Sequence, residues 1–146
     1  MILADEAATQ AAGESLGGRL IVGDVVMLSG PLGAGKTVFA RGLLRGLGFS
    51  GEVTSPTFPI LIEYRPPDVR MPLGHADLYR IEDPAELEQL DLEAALADGA
   101  LAIEWPERLP AGRWPQALRL TLITEGNTRR LTAEAGSGWR DRWPIR

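Results

Sequence analysis

The chain has 146 residues, 45 % of them apolar, which is enough for one packed core and too apolar for a disordered segment. It has no cysteine, which excludes disulfides and thiolate metal sites, and its net charge of −5 argues against a domain that binds nucleic acid by electrostatics. No apolar run approaches the roughly 20 residues that span a bilayer. The opening MILADEAATQAAGES has early acids and no basic stretch ahead of an apolar one, so no secretory leader is expected and the expected location is the cytoplasm, with no membrane contact.

In chain order, Asp5 to about Leu20 reads as a helix, with Leu16 and Leu20 four apart. Asp24–Ser29 reads as a short buried strand, Gly30–Gly35 as a glycine-rich loop, and Lys36–Leu47 as a helix with Phe39, Leu43, Leu44 and Leu47 at helical spacing. Phe58–Tyr64 is expected as a strand, with Pro59 marking an edge or an irregular start, and Leu73–Asp77 as the strand that pairs with it. Asp83-Pro84-Ala85-Glu86 is a strong helix start, and that helix is expected to run to about Ala97 with Leu87, Leu90, Ala94 and Leu96 toward the core. Residues 81–99 carry seven acids and no base, which reads either as a solvated helix face or as a contact for a basic partner. Ala100–Ile103 is a buried strand ending in Glu104, and Leu118–Ile123 with Arg130–Ala135 flank Glu125-Gly126-Asn127 as a hairpin. The remainder, 136–146, reads as a C-terminal tail after a single domain over 1–135. Strands alternate with helices early and pair by hairpins later, so the expected fold is α/β: a mixed, mostly parallel central sheet flanked by helices, with a C-terminal β-hairpin.

One stretch carries chemistry. The chain has 14 arginines and a single lysine, and that lysine lies in GPLGAGKT, Gly30–Thr37. Gly-x-x-x-x-Gly-Lys-Thr between a strand and a helix is the phosphate-binding loop pattern. Gly30, Gly33 and Gly35, with Ala34, let successive backbone N–H groups turn around an anion, and the following helix presents its positive end to the same phosphates. Lys36 supplies a compact point charge that the wider guanidinium does not reproduce, which explains the solitary lysine. Thr37 offers a hydroxyl to Mg²⁺. At average composition the pattern arises on the order of 10⁻⁵ times per position, so chance is a poor explanation. Such a loop needs an acid at the end of a nearby buried strand. Asp77, ending LGHAD, and Glu104, ending ALAIE, both qualify. His75, the only histidine, has no assigned role, and Trp105 reads either as packing or as a reporter of the site's state.

With GPLGAGKT come three further blocks in order: Thr54-Ser55-Pro56-Thr57-Phe58, His75-Ala76-Asp77-Leu78-Tyr79-Arg80 and Ile103-Glu104-Trp105-Pro106-Glu107. Together they resemble the TsaE (YjeE) family, the ATPase of bacterial tRNA threonylcarbamoyladenosine biosynthesis, over roughly residues 5–135. The resemblance implies a P-loop NTPase-like fold that binds ATP with Mg²⁺ and hydrolyses it slowly. It also implies association with a TsaB–TsaD complex, whose turnover the ATP cycle supports and through which tRNA is met only indirectly. It implies phosphate binding by Lys36, metal binding by Thr37 and Glu104, a nucleotide-sensing switch at Ser55 and Thr57, and functional importance of Asp77 and Trp105. Contacts to the nucleotide are implied from Glu6 or Thr9 and from Arg129 or Arg130. The chain departs from the family at Pro31, where an acid is common, and at Pro59, where a hydroxyl residue is common. Two rival classes share the loop: a small-molecule kinase, for which the short 65–72 loop leaves little room for a lid, and a nucleotide-gated binding module without relevant hydrolysis.

Overall fold

The computed structural model describes residues 1–54 and 60–143. It forms one seven-stranded sheet in the order β1-β7-β6-β2-β5-β4-β3. Its heart is parallel: β6 (Leu118–Glu125), β2 (Val25–Ser29), β5 (Ala100–Glu104) and β4 (Leu73–Asp77). Both flanks are antiparallel, with β3 (Leu61–Tyr64) on β4 at one edge and β7 (Thr128–Glu134) followed by β1 (Ile2–Leu3) at the other. The expected mixed sheet and the β6–β7 hairpin are therefore present, and β3 is an edge strand, as its proline-marked start suggested. The Phe58 and Pro59 part of that expected strand lies outside the described residues.

Alternation along the strands sends side chains to two cores. Val26, Leu28, Leu120 and Leu122 meet helices α1 (Glu6–Gly17) and α2 (Lys36–Gly46) on one face. Val25, Met27, Leu101 and Ile103 meet α3 (Pro84–Leu90) and α4 (Leu92–Ala95) on the other. Helix α1 is capped by Asp5, whose Oδ1 accepts the Ala8 N–H at 2.8 Å. It lies so close to α2 that a Cβ at Gly13 would sit 2.2 Å from the Phe39 carbonyl oxygen, and one at Gly42 would sit 2.2 Å from that of Gln10. This approach brings Thr9 to the loop between β2 and α2.

The expected single helix over 83–97 is two. Asp83 caps α3 through a 3.0 Å bond from the Ala85 N–H, as its sequence implied. At Asp91 the backbone turns left-handed, φ 49°, and α4 begins on a new heading. The break changes which residues are inside: Leu92 and Ala95 join Leu87 in the core, and Ala94 faces solvent. The segment after β7 also differs from a tail. Through Trp143 it packs back onto the sheet, with Trp139 only 2 % exposed and its Nε1–H donating to the Gln116 carbonyl at 2.9 Å.

Candidate nucleotide site

The site forms where β2 ends. Gly30 adopts φ 141° and Gly35 φ 105°, positive values that residues with side chains rarely adopt, and a Cβ on Gly30 would lie 2.2 Å from the Leu122 carbonyl oxygen. These turns fold the loop back so that α2 starts at Lys36. The Lys36 side chain is enclosed, 5 % exposed. Its ammonium donates to the Gly30 carbonyl and sits 3.8 Å above the Trp105 ring. Burial pulls its pKa down, while the charges of Glu104, Asp77 and Glu107 pull it back up. Among the described residues it has no carboxylate in ion-pair range, so the positive charge is held by a dipole and a π face.

Strands β4 and β5 deliver the acids in register. Asp77 is the neighbour of Glu104, and His75 of Ala102. Glu104 is 3 % exposed, and both its carboxylate oxygens lie 3.3 Å from Thr37 Oγ1 in the first turn of α2. His75 is fully buried, with Nε2 2.7 Å from Glu104 Oε2. Asp77 is half-buried; its Oδ1 accepts the Tyr79 N–H at 3.0 Å, and burial raises its pKa more than that bond lowers it. Directly after Glu104 the chain turns at Trp105, φ 61°, which puts the indole against Lys36 and 4.9 Å from the Tyr79 ring. A cleft of about 240 Å³ opens among Lys36, Thr37, Asp77, Glu104 and Trp105.

A second hollow of about 130 Å³ adjoins it on the other side of Gly33 and Gly35, lined by Glu6, Thr9, Asn127 and Arg129. Glu6 is largely exposed and pairs with Arg41 at 3.6 Å. Thr9 is buried and donates to the Asp5 carbonyl at 3.2 Å. Arg129 reaches the loop itself, its Nε donating to the Ala34 carbonyl at 3.1 Å and Nη2 to that of Gly33 at 3.4 Å. Arg130 does not join them. As the next residue in a strand it points to the opposite face, where it pairs with Glu125 at 2.6 and 3.1 Å. Ser55 and Thr57 lie outside the described residues. Asn127 was not anticipated from sequence; its position in the hairpin turn, facing the loop, is visible only once β6 and β7 are placed. Glu107 was also missed as a neighbour of the loop: its Oε1 accepts from Ser29 Oγ at 2.8 Å. A larger hollow of about 330 Å³ under residues 106–113 includes no residue of the 30–37 loop and lies apart from this chemistry.

A buried strand, a glycine-rich turn that closes over a lysine, and a helix whose first turn carries a threonine beside a strand-end acid define a P-loop NTPase-type fold. The solved structure of YdiB from Bacillus subtilis superimposes with a TM-score of 0.75 at 28 % identity, covering 95 % of this chain and 86 % of that one. The chain belongs to the TsaE family: the family model described as "Threonylcarbamoyl adenosine biosynthesis protein TsaE" matches residues 3–132. The protein of that function from Synechocystis sp. is 47 % identical over 113 residues, 74 % of this chain and 70 % of the relative. The one from Mycobacterium tuberculosis is 42 % identical over 127 residues, 80 % of this chain and 75 % of the relative.

Proposed function

We propose that this chain binds ATP with Mg²⁺ and hydrolyses it slowly, as a component of the threonylcarbamoyladenosine tRNA-modification machinery that supports turnover of a TsaB–TsaD complex. The observation that carries the reading is the convergence of the buried Lys36 ammonium, the Thr37 hydroxyl and the Glu104 carboxylate at the open side of one glycine turn. Lys36 would exchange the Gly30 carbonyl for phosphate oxygens, a stronger, charge-assisted contact. Thr37 and Glu104 fit a hard divalent cation: both offer oxygen, and Oε1, which His75 does not hold, has only a long 3.3 Å contact to Thr37. When bound, Mg²⁺ supplies neutralisation of charge on the phosphates. The hollow lined by Thr9, Asn127 and Arg129 continues the cleft on the side where the rest of a nucleotide would extend.

Weak turnover by the isolated chain follows from what the cleft contains. Among the described residues no arginine lines it, and Arg129 is occupied by the loop carbonyls. Charge developing in the transition state would therefore need a cation supplied by a partner. Asp77, which lines the cleft, would hold a proton or a water beside the phosphates. Among the described residues no helix is long and apolar enough to cross a membrane, and the role assigned here is cytoplasmic, with tRNA met only through the complex. The test is ATP turnover with and without purified TsaB–TsaD, together with co-elution in the presence and absence of ATP. Turnover that rises on adding the pair, with ATP-dependent co-elution, supports the reading. Transfer of phosphate to a small-molecule acceptor, or no response to the pair, contradicts it.

A further inference from the structure

Buried between β4 and β5 is a group that the phosphate-binding reading leaves without a task. The His75 ring is wholly enclosed, with one nitrogen on Glu104 and the other, Nδ1, without a hydrogen-bond partner among the described residues. A buried polar atom left unpaired is costly, and a leucine at this position would fill the space without that cost. The β5 neighbour in register is Ala102, a buried small residue that leaves room for the imidazole. A carboxylate accepts, so the contact to Glu104 calls for the tautomer with a proton on Nε2. That tautomer gives Glu104 Oε2 a short, directed bond of 2.7 Å, against 3.3 Å from either oxygen to Thr37. The tightest tether on the carboxylate is therefore the histidine.

We infer that His75 is a positioning residue for the metal site: by donating from Nε2 to Oε2 it fixes the rotamer of Glu104 and leaves Oε1 clear of the histidine, with Thr37 Oγ1 3.3 Å away. The inference rests on the reading of Thr37 and Glu104 as the metal-facing pair. Side chains that hold a metal ligand from behind typically change metal affinity 10- to 100-fold when removed. The donor counts because an untethered carboxylate in this wall would lose orientation each time the metal left.

The test compares His75→Leu, which fills the volume without a donor, with His75→Gln, whose amide can donate from nearly the Nε2 position. Binding of an ATP analogue is measured by calorimetry with Mg²⁺ and with EDTA. His75→Leu is expected to lose on the order of tenfold or more in the Mg²⁺-supported affinity, with the EDTA affinity unchanged, and His75→Gln is expected to recover most of that loss. A second readout begins with the parent protein and does not need the His75 variants to fold. The chain has one histidine, so ¹⁵N imidazole spectra report a single ring, which should be the Nε2–H tautomer, with that proton shifting in Glu104→Gln. An Nδ1–H tautomer overturns the inference, as does a His75→Leu protein whose Mg²⁺ dependence equals the parent's. If the parent itself shows no Mg²⁺ dependence, the proposed function fails and takes this inference with it; if the parent is Mg²⁺-dependent and His75→Leu matches it, only this inference fails.

Discussion

The two ends of β2 are built from opposite kinds of polar chemistry. Before the strand starts, Asp24 accepts the Ile21 N–H at 2.8 Å and a two-pronged contact from Arg142, with Nη2 to Oδ1 at 3.0 Å. Arg142 also donates to the carbonyls of Arg19 and Gly138, accepts from the Arg19 guanidinium, and lies 4.1 Å over the Trp139 ring. Each group there has a partner. Where the strand ends, Lys36 rests on a carbonyl and a ring, Glu104 has one short contact, to His75 at 2.7 Å, and only long ones to Thr37, and His75 Nδ1 has no partner among the described residues. The difference is that polar groups are mutually satisfied at the first end and only partly so at the second, which is the end where the proposed function puts a ligand.

Substitutions should separate the two ends, beginning with the largest effect. Trp139→Ala removes a buried ring and its bond to Gln116, and should cost about 3–5 kcal/mol of unfolding free energy. Arg142→Ala, which strands a largely buried Asp24, should cost about 3 kcal/mol. In urea titrations both losses should appear while nucleotide affinity of the folded protein stays within about twofold of the parent. An affinity that falls in step with stability would show the ends to be coupled. At the other end, Lys36→Arg should leave the urea midpoint near the parent's and weaken binding of a fluorescent ATP analogue by about tenfold or more, about 1.4 kcal/mol. Unchanged affinity would mean that the loop does not require a point charge.

The smallest effect concerns Asp77. Burial holds its carboxyl above the ordinary range, so folding favours the neutral acid. The stability that the neutral acid brings is complete below the unfolded value of about 3.9 and is lost as pH rises through the higher folded value. Asp77→Asn stays neutral throughout. Its melting temperature relative to the parent should therefore rise with pH from about pH 4 and level off once Asp77 is ionised in the parent. A difference that is flat with pH would place Asp77 in water rather than in the wall of the cleft.

What could be read in advance divides by distance along the chain. The loop, the Thr37 hydroxyl and the acids at the ends of LGHAD and ALAIE were legible because each is a local pattern: glycines at fixed offsets, and a carboxylate closing a buried run. The bend at Asp91 was not, because acids at helical spacing look continuous until a left-handed residue shifts the face and puts Leu92 where Ala94 was expected. The closing segment looked like a tail since nothing near Arg142 reveals its partner, which lies 118 residues earlier at Asp24. His75 had the same difficulty. Alone in the sequence it is any histidine, and only the β4–β5 register brings it behind Glu104. Of the two neighbouring arginines implied as nucleotide contacts, strand alternation turns Arg129 to the loop and Arg130 away, once the hairpin's register is known.

The central claim is that the end of β2 is a metal-dependent nucleotide site built on Thr37 and Glu104. Calorimetric titration of ATP into the parent and into Glu104→Gln, each with Mg²⁺ and with EDTA, tests it most directly. The account predicts that Mg²⁺ tightens binding to the parent by at least about tenfold, about 1.4 kcal/mol, and that Glu104→Gln abolishes this gain while keeping the parent's EDTA affinity. A Glu104→Gln protein that gains as much from Mg²⁺ as the parent would contradict it.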